Sequence, residues 1–343
     1  MKAIVAHAAK DLRLEEHDTP KPGAGQVLIR MAAGGICGSD LHYYAHGGFG
    51  TVRLREPMIL GHEVSGVVEA LGDGVTGLRV GQLVAVSPSR PCGDCAYCRE
   101  GAQNHCLNMR FYGSAMPFPH IQGAFRELLV ADAAQCAVAD GLSPAEAAMA
   151  EPLAVVLHAA KQAGNLMGKR VLVTGCGPIG LLAVIVAKAA GAVEIVATDI
   201  TEFTTDMARK AGAEMAHNVG KAPDALEAYS EDKGHFDVLF ECTGVAAVVA
   251  SAVPALRPRA TMVQLGLGGD MVLPVQAMTA KELVMKGSFR FHAEFFGAVA
   301  LMHSGQIDVT PLVTHSKPLA EFGEAFELAS DRNAAIKVQI AFS

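Results

Sequence analysis

One stretch, KRVLVTGCGPIGLLAVIVAKAAGAVEIVATD at residues 169–199, decides the fold of this chain. A β-branched apolar run at 170–174 leads into the G-x-G-x-x-G motif of 175–180, and an apolar segment of helical character follows. A second β-branched run then ends at Asp199. Apolar strands that alternate with helices are typical of a parallel, doubly wound sheet, because helices cover both of its faces. The stretch therefore predicts an α/β fold.

The glycines of this motif also predict a dinucleotide-binding site. Gly175 permits a tight turn, Gly177 lets the backbone approach a pyrophosphate, and Gly180 allows the helix to pack closely on the strand. The N–H groups and positive dipole end of the following helix would face the phosphates. Pro178, which has no N–H of its own, lies at the start of that helix and belongs to the predicted cofactor-binding motif. A glycine turn that serves packing alone is the simpler interpretation. The placement of the motif between a strand and a helix disfavours that interpretation.

Asp199 predicts which dinucleotide binds. It lies nineteen residues past Gly180, where a carboxylate can accept hydrogen bonds from both hydroxyls of the adenosine ribose. The same carboxylate would repel a 2′-phosphate, and no arginine follows within nine residues. The sequence therefore favours NAD over NADP.

The flanking sequence predicts two domains. Residues 1 to about 150 contain short apolar runs punctuated by glycine, such as QVLIRMAAGG and VSGVVEALG, which predict a compact β-rich domain. After Asp199, the runs FDVLFECTG, TMVQLGLGG and LVMKGSF continue the parallel sheet. We expect the helical EPLAVVLHAA to bridge the parts and the final strand, AIKVQIAF, to return to the first domain. We place the first domain at residues 1–151, with residues 292–343 returning to it, and the second domain at residues 152–291.

Four cysteines form a C-x2-C-x2-C-x7-C array within fifteen residues: Cys92, Cys95, Cys98 and Cys106. Four thiolates form the tetrahedral cage that Zn²⁺ prefers in structural sites, and such a cage leaves no position open for chemistry. Disulfides are disfavoured because no secretory signal opens the chain. A ferredoxin-like cluster would need a shorter last gap followed by proline, and Leu107 stands there instead.

Composition excludes further classes of protein. The 343 residues are 51% hydrophobic and 18% charged, which suits two well-buried domains. The chain carries 28 Lys+Arg against 35 Asp+Glu, a net charge of -7, so nucleic acid is not an expected partner. No uncharged apolar run reaches the length of a membrane span, and we expect a soluble, cytoplasmic protein.

A second metal site is predicted from residues outside the array. Cys37 and His62 offer a thiolate and an imidazole, and a carboxylate would complete three protein ligands while leaving a fourth position open. Glu63 and Glu151 compete for that role. Because a thiolate with both carboxylates would make the site net negative, we expect one to ligate and the other to hydrogen-bond the water on the metal. Taken alone, His62 would be read as a core histidine and Glu63 as a surface charge.

Together these residues carry a family resemblance. The run Gly61-His62-Glu63-x-x-Gly66-x5-Gly72-x2-Val75 resembles the zinc alcohol dehydrogenase signature, and the four-cysteine array and the glycine motif follow in that family's order. Over nearly its whole length the chain is similar to zinc-containing medium-chain dehydrogenases. Glu151, within AEPLAV, is typical of their polyol (sorbitol) dehydrogenase branch. Within that branch, GGICGSDLHYY, MRFYGSAMPFPH and KGSFRF most resemble the L-idonate 5-dehydrogenases.

The resemblance implies a GroES-like catalytic domain, a Rossmann domain that binds NAD, and two zinc ions per chain. It implies roles for further residues: Ser39 and His42 in proton relay, Tyr43 and Arg290 in substrate binding, Ile179 and Asp199 in cofactor contacts, and Leu265, Gly266 and Leu267 beside the nicotinamide. Arg110 and Arg290 are the candidates to bind a substrate carboxylate, because a guanidinium can hold one in two parallel hydrogen bonds. One departure is Thr204, where sorbitol dehydrogenases commonly have arginine, and it weakens the argument for NAD.

The expected reaction is zinc-dependent hydride transfer from a secondary alcohol of a sugar acid to NAD, converting L-idonate to 5-ketogluconate. The alternatives are a polyol dehydrogenase acting on sorbitol or xylitol, an amino-alcohol dehydrogenase of the threonine type, and a non-catalytic dinucleotide-binding protein. Family analogy implies a homodimer or homotetramer, assembled through the exposed edge of the Rossmann sheet.

Overall fold

The computed structural model describes residues 1–342, whose strands form two large sheets and three small ones. The strands are β1 (Lys2–Ala8), β2 (Asp11–Glu16), β3 (Gln26–Gly35), β4 (Gly48–Phe49), β5 (Val52–Arg53), β6 (Met58–Ile59), β7 (Glu63–Leu71), β8 (Leu83–Val86), β9 (Ser89–Arg90), β10 (Arg110–Phe111), β11 (Leu128–Asp132), β12 (Cys136–Val138), β13 (Arg170–Thr174), β14 (Glu194–Asp199), β15 (Met215–Asn218), β16 (Phe236–Glu241), β17 (Leu256–Gln264), β18 (Val284–Gly287), β19 (Val313–Pro318) and β20 (Lys337–Ala341). The helices are α1 (Gly38–His46), α2 (Ala96–Arg99), α3 (Pro144–Ala148), α4 (Ala150–Ala163), α5 (Pro178–Ala189), α6 (Glu202–Ala211), α7 (Ala246–Ala252), α8 (Val275–Ala280), α9 (Glu294–His303) and α10 (Phe322–Ser330).

The first large sheet has seven strands and is mostly antiparallel. Its main path is β12-β8-β7-β3-β20-β19, and β11 pairs with β3 outside that path. The central strands β3 and β7 run antiparallel, with Gly35 opposite Glu63. This register matters for function, because it sets the end of β3 beside the start of β7. Phe125 and Phe326 are fully buried in the core that this sheet covers.

The second large sheet is parallel throughout, with six strands in the order β15-β14-β13-β16-β17-β18. The apolar residues of β13 are buried on alternate faces: Val171 and Val173 belong to one core cluster, and Leu172 belongs to another. Burial on both faces explains why the strand sequences are continuously apolar. The α/β fold predicted from residues 169–199 is confirmed, with a β-rich part and a parallel sheet of the Rossmann type.

Helix α4 follows α3, after strand β12 of the first large sheet, and enters the core of the second large sheet. Its Leu153, Val156 and Ala159 are fully buried in the cluster that also contains Val171 and Val173. Pro152 is tolerated here because the first turn of a helix has no internal partner for its N–H groups. The helix thus begins beside the first large sheet and ends within the parallel-sheet core.

The last strand lies in the first large sheet. Gln339 of β20 pairs with Gly35 of β3, and β20 runs parallel to β19 on its other side. Upstream of these strands, Phe295 and Ala298 of α9 are buried in the parallel-sheet cluster. The exact division of the chain at residues 151 and 292 stays a prediction.

Candidate active site

Three candidate metal ligands meet where β3 ends and β7 begins. Cys37 caps the N-terminus of α1 just after β3, and the register of β3 and β7 brings it beside His62 and Glu63. One ligand atom from each of these three side chains lies within 4.8 Å of the other two. A Cβ atom on Gly35 would stand only 2.2 Å from Glu63 Oε2, so glycine is required opposite this carboxylate. Thiolate, imidazole and carboxylate are donors that suit zinc.

Asp40 is fully buried and joins the two loops that carry these ligands. Its Oδ2 accepts from Cys37 N–H at 3.0 Å, and its Oδ1 accepts from Gly61 N–H at 3.1 Å. Burial raises the pKa of Asp40, and nearby His62 and the Cys37 N–H oppose that shift. His62 Nδ1 lies 3.8 Å from Asp40 Oδ1 and has no hydrogen-bond partner among residues 1–342, although it is buried. Asp40 therefore fixes the ligand loops relative to each other.

Lys337 provides a buried positive charge beside Glu63. Its Nζ donates to Glu63 Oε1 at 2.8 Å and Oε2 at 2.7 Å, and also to Ile36 O at 3.1 Å. Both side chains are only 2% exposed. Burial alone would lower the pKa of Lys337, but Glu63 and Cys37 outweigh it and raise that pKa above its ordinary value. The cluster thus contains a cation that sequence reasoning missed, since nothing local to the last strand indicates it.

Glu151 lies at the start of α4 and is 6% exposed. Burial raises its pKa to about 8; His62 opposes this shift, while Glu63 and Cys37 add to it. Within residues 1–342, Glu151 does not belong to the group of side chains whose ligand atoms all lie within 4.8 Å of one another. The two candidate carboxylates therefore differ: Glu63 belongs to the close set, and Glu151 acts on it electrostatically from a neighbouring helix.

Arg290 and Phe111 form one wall beside this cluster. The guanidinium carbon of Arg290 lies 4.5 Å from the centre of the Phe111 ring, and that ring is 5.7 Å from the His62 ring. Among residues 1–342, no carboxylate pairs with Arg290 within 4.0 Å. Burial lowers the pKa of Arg290, and Glu151 and Tyr43 oppose the shift. Phe111 was not predicted from the sequence, although it lies in the segment MRFYGSAMPFPH, which carries part of the family resemblance.

The other predicted substrate and relay residues occupy different environments. Tyr43 is 2% exposed, and its hydroxyl accepts from Ala115 N–H at 3.0 Å. Arg110 is exposed on β10. Ser39 and His42 lie one turn apart on α1, a spacing that puts both on one helix face. Burial, His46 and Arg332 lower the pKa of His42. The roles predicted for these four residues stay predictions.

The four-cysteine array forms a compact cluster, with one sulfur of each residue within 4.8 Å of the others. The sulfurs of Cys92 and Cys106 lie 3.5 Å apart, close to the about 3.8 Å expected between thiolates that share a tetrahedral zinc ion. Backbone N–H groups of Cys92 and Asn108 donate to Cys106 Sγ. Hydrogen bonds from the backbone of Leu107 and Cys98 lower the pKa of Cys95 to about 6. The donor set and its hydrogen bonds suit zinc.

The glycine motif has the geometry of a phosphate-binding turn. Gly175 adopts a left-handed φ of 85°, and a Cβ atom on Gly180 would lie 1.7 Å from Gly175 O. Around Gly177 no atom stands within 4 Å of a Cβ position, so its backbone is open to a ligand. Pro178 begins α5, and Ile179 follows in its first turn. The turn can therefore hold a dinucleotide pyrophosphate against the N-terminus of α5.

The remaining cofactor candidates lie at the carboxyl ends of neighbouring parallel strands. Asp199 ends β14, where its carboxylate accepts from the N–H groups of Cys176 and Ile200. After β17, the N–H groups of Leu265 and Gly266 donate to Glu241 O, and Leu267 is 78% exposed. The Glu241 side chain is fully buried and accepts from Thr243 N–H and Gly244 N–H. Sequence reasoning missed this carboxylate, which joins the strand ends.

Comparison with known proteins identifies the class that this fold and these clusters define. The model of the alcohol dehydrogenase GroES-like domain matches residues 23–140, and that of the zinc-binding dehydrogenases matches residues 178–304. The chain belongs to the zinc-containing medium-chain dehydrogenase family, in its polyol and sugar-acid branch. It is therefore an oxidoreductase of a zinc-dependent family, with a small molecule as substrate.

Individual relatives refine this placement. L-idonate 5-dehydrogenase (NAD(P)(+)) of Escherichia coli (strain K12) is 42% identical over 322 residues, which cover 92% of each chain. Sorbitol dehydrogenase of Gallus gallus is 38% identical and covers 98% of this chain and 95% of its own. The crystal structure of L-idonate 5-dehydrogenase from Escherichia coli matches with a TM-score of 0.95 at 40% identity, covering 99% of this chain and 98% of that one. The resemblance to that branch is confirmed.

Within residues 1–342, none of the helices combines the length and apolarity that crossing a membrane requires.

Proposed function

We propose that this chain oxidises a secondary alcohol of a sugar acid with NAD, converting L-idonate to 5-ketogluconate. The observation that carries the proposal is Arg290, a partly buried guanidinium that no carboxylate pairs within the described chain. It lies over the Phe111 ring, which also contacts the ring of the candidate ligand His62. A substrate carboxylate bound there would reach a cation beside the metal cluster. The similarity to L-idonate 5-dehydrogenase supports the same substrate.

In this proposal Cys37, His62 and Glu63 would hold the catalytic zinc, and Glu151 would hydrogen-bond water at the open side of that site. The closeness of the first three ligand atoms supports this division. Lys337 also changes the charge balance, because a zinc ion and the Lys337 ammonium together offset one thiolate and two carboxylates. Both glutamates can then be ionised in a site of neutral charge. The cysteine array holds the second, structural zinc.

Glutamine substitutions separate the two glutamates. Glu63→Gln should weaken binding of the catalytic zinc strongly, whereas Glu151→Gln should retain zinc and lower kcat. Zinc is measured by titration with a competing chelator, and wild-type protein should retain two zinc ions after dialysis. Greater zinc loss from Glu151→Gln would reverse the assignment, and a single retained zinc in wild type would favour a non-catalytic protein.

The chemistry follows from these positions. Bound zinc would act as a Lewis acid on the substrate hydroxyl, and NAD would accept the hydride. Ser39 and His42, one turn apart on α1, carry the hydroxyl proton toward solvent. Arg290 orients the carboxylate end of the substrate. Gly177 and the N-terminus of α5 hold the pyrophosphate, and Asp199 favours NAD over NADP because its charge opposes a 2′-phosphate.

The test is NADH formation by the zinc-loaded protein on L-idonate, D-gluconate, sorbitol, xylitol and L-threonine, with NAD and NADP compared. Preference for L-idonate supports the proposal. In that case Arg290→Lys should raise KM for L-idonate more than KM for sorbitol, because lysine cannot form the two parallel bonds. Preference for sorbitol would instead favour the second candidate, a polyol dehydrogenase, which the 38% identity to sorbitol dehydrogenase supports.

The edge of the parallel sheet supports a homodimer. All four residues of β18 are exposed, including Val284 and Met285, and exposed Val272 and Val275 precede them. An unpaired, partly apolar edge strand is a template for pairing with a second copy. Met285→Lys should yield monomers by light scattering. Met215→Lys, on the opposite edge strand β15, is the matched control, and equal dissociation in both variants would contradict this interface.

A further inference from the structure

The backbone of Arg290 is held in an unusual conformation. Its φ is 55°, in the left-handed region that residues other than glycine seldom occupy. Such a conformation is unfavourable for a residue with a Cβ atom, so surrounding contacts must maintain it. Arg290 follows Phe289 in the segment that leaves β18. The contacts that hold this segment should therefore determine where the guanidinium points.

Those contacts come from the four-cysteine lobe. Asn104 Nδ2 donates to the carbonyl oxygen of Phe289 at 3.0 Å, and the His105 ring stacks on the Phe289 ring with centroids 6.1 Å apart. Asn104 is only 8% exposed. Asn104 and His105 lie in a short 3₁₀ turn that ends directly before Cys106. The metal-ligand array and the peptide that precedes Arg290 are thus joined through a single turn.

The same part of the chain also contacts the Arg290 side chain. Its guanidinium carbon lies 4.5 Å from the Phe111 ring centre and 4.9 Å from the Phe289 ring centre. Its Nη2 lies 3.3 Å from Met116 Sδ. Residues that follow Cys106 within ten positions therefore hold the guanidinium, while Asn104 holds the preceding carbonyl. None of these groups is anionic, so the arginine is positioned without its charge being neutralised.

We propose that the four-cysteine lobe positions the substrate-binding arginine, with Asn104 as the positioning residue that acts through Phe289. This inference rests on the proposed function, in which Arg290 binds the substrate carboxylate. A metal bound by the four cysteines would order the lobe and with it the 3₁₀ turn. The turn holds the Phe289 carbonyl through Asn104, and this contact keeps the guanidinium in position for the substrate. The lobe then contributes to substrate binding as well as to stability.

Asn104→Ala tests the inference, because it removes the donor to Phe289 O. We expect KM for L-idonate to rise about 5- to 10-fold, the effect of one lost buried hydrogen bond, while KM for NAD stays unchanged. Gln103→Ala, in the same turn, is the matched control, since no side-chain hydrogen bond of Gln103 is present in the described chain. His105→Ala, at an exposed position, should raise the same KM about 2- to 3-fold and replaces Asn104→Ala if that variant does not fold.

A double-mutant cycle with Arg290→Gln separates positioning from general damage. If Asn104 acts through Arg290, Asn104→Ala should have little further effect on substrate KM in the Arg290→Gln background. A fully additive effect overturns the inference. The proposed function fails separately, if wild-type protein does not oxidise L-idonate or if Arg290→Gln changes KM for no substrate. If the substrate is an uncharged polyol, the cycle is run with that polyol. Additive effects on its KM would again contradict the positioning role of Asn104.

Discussion

The two cysteine-bearing clusters of this protein are built in opposite ways. The array at residues 92–106 collects four thiols from one short, largely exposed lobe. The cluster around Cys37 draws His62 and Glu63 from the point where β7 begins and Lys337 from the last strand, and Glu151 acts on it electrostatically from α4. Spacing along the chain is enough to build the first cluster, whereas the second requires the β3–β7–β20 register. A cluster whose four candidate ligands lie within fifteen residues can form locally, but one whose members come from separate strands must be assembled by the tertiary fold.

The clusters also differ in how they stabilise negative charge. Backbone N–H groups of Cys92 and Asn108 donate to Cys106 in the array, and nearby solvent screens its charges. In the cluster around Cys37, His62, Glu63 and Lys337 are buried, and the balancing charge is the Lys337 ammonium at 2.7 Å from Glu63. Removing one partner of such a buried pair costs far more than removing an exposed one.

Cys37→Ala should have the largest effect, because it removes a candidate ligand from the assembled cluster. We expect turnover to fall at least about 10³-fold, while NADH binding measured by fluorescence changes little, since the glycine turn is separate. Cys136→Ala, at a buried cysteine outside both clusters, is the control and should retain turnover. Wild-type turnover in Cys37→Ala would refute the contrast between a catalytic and a structural cluster.

Lys337→Met should have the next largest effect. Without metal, Glu63 would be left as an uncompensated buried carboxylate, and we expect the free energy of unfolding to fall by about 3–5 kcal/mol. Zinc loading should reduce this loss if Glu63 is a ligand, because the ion then supplies the missing positive charge. Urea unfolding with and without zinc measures both quantities. Lys317→Met breaks exposed ion pairs and should change stability far less; an equal change would contradict the comparison.

Asp40→Asn should act on the assembled cluster alone. Asparagine keeps the shape but replaces one acceptor oxygen with a donor that opposes the Cys37 or Gly61 N–H. We expect about 10- to 100-fold weaker binding of the catalytic zinc, with the array zinc unaffected. Chelator competition that counts both ions measures this difference. Simultaneous loss of both ions would mean that the clusters are not independent.

Asn108→Ala should have the smallest effect. Asn108 contacts a candidate ligand of the exposed array, as Asp40 does in the buried cluster. Its Nδ2 lies 3.6 Å from Cys92 Sγ and is accessible to water, which can replace it. Affinity for the array zinc should therefore change less than about twofold, since water supplies comparable donors. An effect as large as that of Asp40→Asn would show that burial does not distinguish the two clusters.

Much of the fold was accessible from sequence, because the relevant signals are periodic or local. The run QVLIRMAAGG is β3, and the predicted helix from Ile179 coincides with α5. The glycine motif lies between β13 and α5 as expected. Lys337, Phe111 and Glu241 were missed because each is unremarkable among its chain neighbours. Their significance arises from partners at distant positions, which are Glu63 for Lys337, Arg290 for Phe111 and Gln264 for Glu241.

By itself, the sequence determined the parallel sheet, the dinucleotide turn, the family and the cysteine array. These features depend on spacings of a few residues, which the covalent chain and its periodicity fix. Only the tertiary structure decided that Lys337 neutralises Glu63, that Glu63 is nearer than Glu151 to Cys37 and His62, and that Asn104 holds the peptide before Arg290. These relations depend on strand register and on contacts between residues up to 274 positions apart. Such contacts arise from packing the whole chain, and no local pattern encodes them.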